Sequence, residues 1–293
     1  MDAINTSQLT KFYGKSRGIV DFNLTVKKGD FFGCIGPNGA GKSTLIRSLL
    51  GLIRPTSGSA SVLGLDIVKE KEAILRHVGY LPAEAMFYSG MRVKEILRFS
   101  AKLQKKDCTA EAQALCEALQ LDRNKKIEEL SLGNRKKVAI VCAMQHRPDL
   151  YLLDEPTSGL DPLMQRAFFE LLRERHAQGA TIFLSSHVLS EIQRHCNRAA
   201  IIRKGKIIAC DDVEALSQTG AKRVTLHGVS DVPALAGIRD VQVTHEGVSF
   251  LYSGRIRQLI RALSEMPISD LTITEPDLEE IFLHYYEEGR EHA

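Results

Sequence analysis

One stretch narrows the possible folds more than any other: GPNGAGKST, residues 36–44, entered directly from the apolar run GDFFGCIG at 29–36. It fits G-x-x-x-x-G-K-[ST] through Gly36, Gly41, Lys42 and Ser43. Leu45, Ile46 and Leu49 follow at helical spacing, so the motif sits between a strand and a helix. That context makes it an anion cradle, because backbone N–H groups converge at a helix N-terminus whose dipole favours negative charge. Pro37, Asn38, Gly39 and Ala40 complete the loop, and Thr44 extends the helix start. Lys42 would place a point charge on the β and γ phosphates, and Ser43 would offer its hydroxyl to Mg2+.

The alternation continues to about residue 215. DLYLLDEP (149–156), GATIFLSSH (179–187) and AAIIRKGKII (199–208) read as buried strands bounded by turn formers. Buried strands interleaved with helices predict a mainly parallel sheet covered on both faces, an α/β fold. Between about 85 and 148 the pattern turns helical: Val93, Ile96 and Leu97, then Leu115, Leu119 and Leu121, which predicts a helical insertion. From 216 to 293 the texture changes to short strands (RVTLHG, VQVTHEG, VSFLYSG, SDLTITE) and two amphipathic helices, a small α+β domain. Ile256, Leu259, Ile260 and Leu263 stripe one helix; Leu278, Ile281, Phe282 and Tyr285 stripe the other, with Thr274 and Asp277 as a capping box around Pro276.

The run at 149–156 ends in two adjacent carboxylates, Asp154 and Glu155. Acidic residues also cap helices, but a buried strand end carrying both needs a counter-charge, which a phosphate-bound Mg2+ supplies. Asp154 is assigned to the metal shell. Glu155, pointing differently because strand side chains alternate, is assigned as general base for the attacking water. His187, at the carboxyl end of the next apolar run, stands where open α/β sheets bind ligands and could touch a γ phosphate. The stretch LSLGNRKK, 130–137, is ambiguous by itself: Ser131 and Gly133 could cap a helix or grip a phosphate.

Bulk properties set the remaining limits. The 293 residues are 44% hydrophobic and 26% charged, an ordinary globular composition. A formal net charge of +3 gives no field that selects nucleic acid. No apolar run approaches the roughly 20 residues of a membrane span, and MDAINTSQLTKFYGKS has neither the charged start nor the apolar core of a signal peptide; a soluble, non-secreted chain is expected. Six cysteines without a C-x-x-C pair are expected to be reduced core residues.

Over about residues 1–215 these motifs resemble, in family order, the nucleotide-binding subunit of ABC transporters. GPNGAGKST resembles the Walker A loop, LYLLDE the Walker B strand, SGLD with Asp161 the D-loop, and His187 the switch histidine. The resemblance implies a P-loop NTPase cassette with an antiparallel β subdomain beside the main sheet, ATP and Mg2+ as cofactors, and hydrolysis of ATP. LSLGNRKK falls where the family has its signature motif, with Leu132 and Asn134 replacing the usual glycine and glutamine. It implies that Ser131 and Gly133 grip a γ phosphate of the opposite protomer in an ATP-dependent homodimer. Tyr13 matches the aromatic that stacks on adenine. Ala83 stands at the glutamine of the Q-loop, with Glu84 next to it as a possible substitute. A separate transmembrane permease subunit is implied as partner, docking near Met86, Phe87 and Tyr88, with the chain peripheral on the cytoplasmic face of the cell membrane. TEPDLEEIFLHYY resembles the tail of the antibiotic, drug and sodium exporter branch. The alternative, a soluble ABC ATPase acting on nucleic acid or ribosomes, fits less well, since the chain has one cassette and no sustained heptads.

Overall fold

The computed structural model describes residues 1–217, 221–244 and 247–274. The chain divides into two compact units, one ending at Cys210 and the other beginning at Asp211. In chain order the first contains β1 (Asp2–Tyr13), β2 (Ser16–Lys27), β3 (Phe31–Ile35), α1 (Lys42–Leu49), β4 (Ser57–Val62), β5 (Leu65–Asp66), α2 (Lys71–His77), β6 (Val78–Leu81), α3 (Val93–Leu103), α4 (Thr109–Ala118), α5 (Leu132–Met144), β7 (Leu150–Asp154), α6 (Pro162–Ala177), β8 (Thr181–Ser186), α7 (Leu189–His195), β9 (Arg198–Arg203) and all but the last two residues of β10 (Lys206–Asp212).

The main sheet has strand order β10-β9-β3-β8-β7-β6, and β3 lies parallel to both β8 and β9. Strands β7 and β6 continue the parallel set. Each of β3, β7 and β8 is buried along its whole length, as expected for strands covered on both faces. A second, antiparallel sheet of order β2-β1-β4-β5 faces it. One apolar cluster joins the two: Ile4, Leu9, Ile19 and Phe22 pack with Phe32 and Phe183, with Leu45, Ile46 and Leu49 of α1 among them. Close helix approach depends on one strand glycine, since a Cβ on Gly33 would meet the Ile192 side chain of α7 at 2.5 Å. Helices α3, α4 and α5 succeed one another without an intervening strand, and Val93, Ile96, Leu97 and Leu115 are buried as their spacing predicts.

One expected strand is two. AAIIRKGKII breaks at Lys204 and Gly205, both with positive φ (46° and 74°), which makes the two-residue turn joining β9 to β10. The reading as one run overlooked that turn signal. The cysteines are also less uniform than expected: Cys34, Cys108, Cys116 and Cys196 are buried, but Cys210 is exposed on β10.

The second unit holds α8 (Val213–Ser217), β11 (Ala221–His227), β12 (Ile238–Val243), β13 (Gly247–Ser253), α9 (Ile256–Leu263) and β14 (Asp270–Thr274). Its sheet is antiparallel, ordered β12-β13-β11-β14. Period-two alternation buries Val224 and Leu226 on one strand and Val248, Phe250 and Tyr252 on another, and α9 covers them. The apolar stripe expected on α9 is narrower than its sequence suggests. Leu259 and Leu263 are buried, whereas Ile256 and Ile260 are 44% and 55% exposed, because only one i, i+4 ridge meets the sheet. The helix expected from Leu278, Ile281, Phe282 and Tyr285, with its Thr274/Asp277 cap, lies outside the described residues apart from Thr274, the last residue of β14.

Candidate functional site

The loop from Gly36 to Gly41 leaves the carboxyl end of β3 and delivers Lys42, Ser43 and Thr44 into the first turn of α1. Gly41 is the N-cap residue, at φ 112°, and no side chain caps the helix. A Cβ there would lie 2.7 Å from the Gly18 carbonyl oxygen, so both the conformation and the packing require glycine. The uncapped helix start opens into a cleft of about 320 Å³ bordered by Arg17, Gly18, Ala83 and Glu155 as well as residues 37–44. Tyr13 stands at the end of β1, half-exposed, beside Gly18, with the Lys11 ammonium 5.3 Å from its ring centroid.

Lys42 is buried. It donates to the carbonyls of Gly36 and Pro37 and forms an ion pair with Glu155 Oε1 at 3.1 Å. The other carboxylate oxygen of Glu155 lies 2.7 Å from His187 Nδ1. Glu155 therefore bridges the loop lysine and the histidine, so a single carboxylate links residues brought in by β3, β7 and β8.

Alternation along a strand does not explain how Glu155 points. β7 ends at Asp154, and Glu155 has turned out of the strand into the left-handed region at φ 46°. Such backbone conformations are costly for a residue with a side chain and are held by surrounding contacts. Here the Glu155 N–H donates to Ser185, at 3.2 Å to both its carbonyl and its hydroxyl oxygen. Ser185 Oγ in turn donates to Asp154 Oδ1 at 2.7 Å.

Asp154 is completely buried, and its Oδ2 has no hydrogen-bond partner. A buried carboxylate oxygen left over at a strand end, one residue before Glu155, fits a hard cation; Ser43, a second oxygen ligand, lines the phosphate cleft that Glu155 borders. Among the described residues no three His, Cys, Asp or Glu side chains gather as a metal cage. Mg2+ needs none where substrate phosphates complete its shell.

The remaining expected residues stand apart from this cleft. Ser131 is the N-cap of α5, its Oγ accepting from the Asn134 N–H at 3.3 Å. Asp161 caps α6, accepting from the Met164 N–H at 3.0 Å. Gly133 packs on the D-loop, where a Cβ would lie 2.8 Å from the Gly159 carbonyl oxygen. Within the chain, Ser131 and Asp161 thus serve as helix caps, and neither they nor Gly133 borders the phosphate cleft. Glu84 is exposed. The sequence reading missed Ser185, one residue of LSSH, and Lys136, one cation of the RKK run. Lys136 is buried and donates to the carbonyls of Pro82, Ala83 and Glu155. Its pKa falls to about 8 because burial disfavours the charge, an effect that Asp154 and Glu155 partly offset.

A glycine-rich loop on a parallel sheet, with an adjacent carboxylate pair at a neighbouring strand end, defines a P-loop nucleoside-triphosphate hydrolase. Residues 19–158 match the family ABC_tran, described as ABC transporter. The bacitracin transport ATP-binding protein BcrA of Bacillus licheniformis is 34% identical over 96% of this chain and 96% of its own length. The linearmycin resistance ATP-binding protein LnrL of Bacillus subtilis (strain 168) is 30% identical over 96% of this chain and 97% of its own. A solved structure described as the ATP binding subunit of an ABC transporter superposes with a TM-score of 0.69 at 31% identity, covering 74% of this chain and 92% of that one. The chain belongs to the ABC transporter family, as an ATP-binding and ATP-hydrolysing subunit. Among the described residues no helix is long and apolar enough to cross a membrane.

Proposed function

We propose that this chain is the ATPase of an exporter, in which two copies sandwich two nucleotides and drive a separate membrane-spanning permease from the cytoplasmic face. The observation that carries the reading is the Lys42–Glu155–His187 chain of contacts at the mouth of the phosphate loop. ATP replaces Glu155 as the partner of Lys42, because the phosphates offer the ammonium a denser negative charge in the same cleft. Released from that ion pair, Glu155 takes a proton from the attacking water, and His187 orients the water toward the γ phosphate. Asp154 and Ser43 would hold Mg2+, which supplies charge neutralisation at the phosphate oxygens. Tyr13 stacks on the adenine, while Gly36 through Gly41 present backbone N–H groups to the phosphates.

Ser131, Gly133 and Asp161 complete the site of the opposite protomer. Their separation from the phosphate cleft of their own chain supports a contact made in trans. Glu155→Gln should slow hydrolysis on the order of 10² to 10⁴-fold, keep ATP binding, and trap an ATP-dependent dimer visible by size exclusion with light scattering. Adding Ser131→Arg should dissolve that dimer. Unchanged turnover in the first variant would remove Glu155 as the base, and a persistent dimer in the second would return Ser131 to capping alone.

The permease docks beside the loop that follows β6. Met86 and Tyr88 are 90% and 71% exposed, so they do not seal the helical segment against the sheet. Exposed Met and Tyr flanking Phe87 suit a helix laid into a groove. Phe87→Ser combined with Tyr88→Ser should leave basal ATPase near normal and break co-purification with the membrane subunit; wild-type recovery of that subunit would place docking elsewhere. The relatives named for bacitracin transport and linearmycin resistance support an exporter of antibiotic-type compounds.

A further inference from the structure

Helix α5 places a cation where its buried face calls for an alkyl group. Lys136 is 3% exposed and sits in a run of buried residues that continues through Val138, Ile140 and Val141. Its ammonium donates three hydrogen bonds, to the carbonyl oxygens of Pro82 at 3.0 Å, Ala83 at 2.9 Å and Glu155 at 3.0 Å. Three donors meet three acceptors, so the group is saturated. None of the acceptors is a carboxylate: every hydrogen bond goes to a peptide carbonyl, and Asp154 and Glu155 act on the charge only through space.

Burying a cation without a carboxylate among its hydrogen-bond partners is expensive, and a methionine of similar length would fill the space without that penalty. What the lysine adds is geometry. Its three acceptors belong to two loops, one following β6 and one following β7, and the lysine itself comes from α5. Ala83 borders the phosphate cleft but has no polar side-chain atom, so its loop reaches the catalytic segment through its backbone. Glu155 is the one residue of the site in a left-handed conformation without being glycine, and its carbonyl is one of the three acceptors.

We propose that Lys136 is a positioning residue for hydrolysis, clamping the loop after β6 to the backbone of Glu155 so that the carboxylate is aimed at the phosphate loop. The proposal rests on the reading of Glu155 as general base. It assigns Lys136 no contact with nucleotide. The variants therefore lose turnover and keep affinity, a division that a residue serving only to hold the fold together would not produce.

The test uses the full chain with Lys136→Met, which keeps the volume and removes the donors, and Lys136→Gln, which keeps two donors on a shorter arm. Thermal melts give the folded fraction, equilibrium binding of a fluorescent ATP analogue gives affinity, and steady-state assays give kcat and KM. The expected result for Lys136→Met is kcat per folded molecule about 10- to 100-fold down, the range for a reacting group displaced by about 1 Å, with affinity and KM within about twofold. Lys136→Gln should recover part of the loss. Turnover per folded molecule equal to wild type in either variant overturns the proposal. So does failure of both variants to fold, which would make Lys136 a brace for the core. Glu155→Gln assayed alongside separates the two ideas. If that variant keeps wild-type turnover, the base reading is lost; if it is inactive while the Lys136 variants are normal, only the positioning is lost.

Discussion

Helices α1 and α5 both begin in loops assigned to phosphate, and they begin differently. The start of α1 is bare: Gly41 contributes no side chain, and the N–H groups of the first turn face the cleft. The start of α5 is closed by its own cap, with Ser131 Oγ already accepting the Asn134 N–H. One terminus is ready for an anion as it stands. The other must trade an internal hydrogen bond for an external one, so nucleotide contact at α5 is in competition with the stability of the helix that provides it. The difference suits a site whose first half binds ATP alone and whose second half engages only when a partner presents it.

The largest effect expected from breaking this contrast is at α1. Lys42→Ala removes the ammonium that α1 brings to the phosphates, and ATP hydrolysis should fall at least about 10²-fold while circular dichroism shows an intact fold. Native turnover in that variant would end the assignment of the loop. At α5 the expected effects are on stability. Gly133→Ala drives a Cβ to 2.8 Å from the Gly159 carbonyl, and a clash with backbone cannot be relieved by a rotamer. Chemical denaturation should register a loss of about 1–3 kcal/mol, with ATP binding by the isolated chain unchanged. An unaltered midpoint would mean that the D-loop moves aside easily. Ser131→Ala is the mildest, about 0.5–1 kcal/mol for a cap whose hydrogen bond is long. If it leaves stability untouched yet impairs the ATP-dependent dimer, the hydroxyl belongs to the partner's nucleotide more than to its own helix.

What was legible in the sequence follows the same division. The phosphate loop could be read outright because glycine spacing, one lysine and an apolar strand all point to one geometry, and the carboxylate pair could be read because two charges at a buried strand end demand a reason. The direction of Glu155 does not come from strand alternation, which is local, while the φ of 46° depends on Ser185, thirty residues further on. Lys136 was invisible for a related reason. A basic residue in a helix reads as solvent-facing, and nothing in RKK says that the carbonyls of residues 82, 83 and 155 will converge on one of the three cations. The turn at Lys204 and Gly205 was present as a signal and was overridden by the apolar residues on either side of it.

That turn also sets the order in which the molecule can be assembled. The Gly205 N–H donates to the Ala40 carbonyl at 2.9 Å, inside the phosphate loop, and the Gly205 carbonyl accepts from the Val20 N–H at 2.8 Å. The loop emerges early from the ribosome, yet one of its fixed points arrives only when residue 205 has been made. Contacts of such long sequence separation form late and slow folding. During synthesis the anion cradle therefore lacks this hydrogen bond until almost the entire first unit has been translated, and a chain truncated before β9 never gains it.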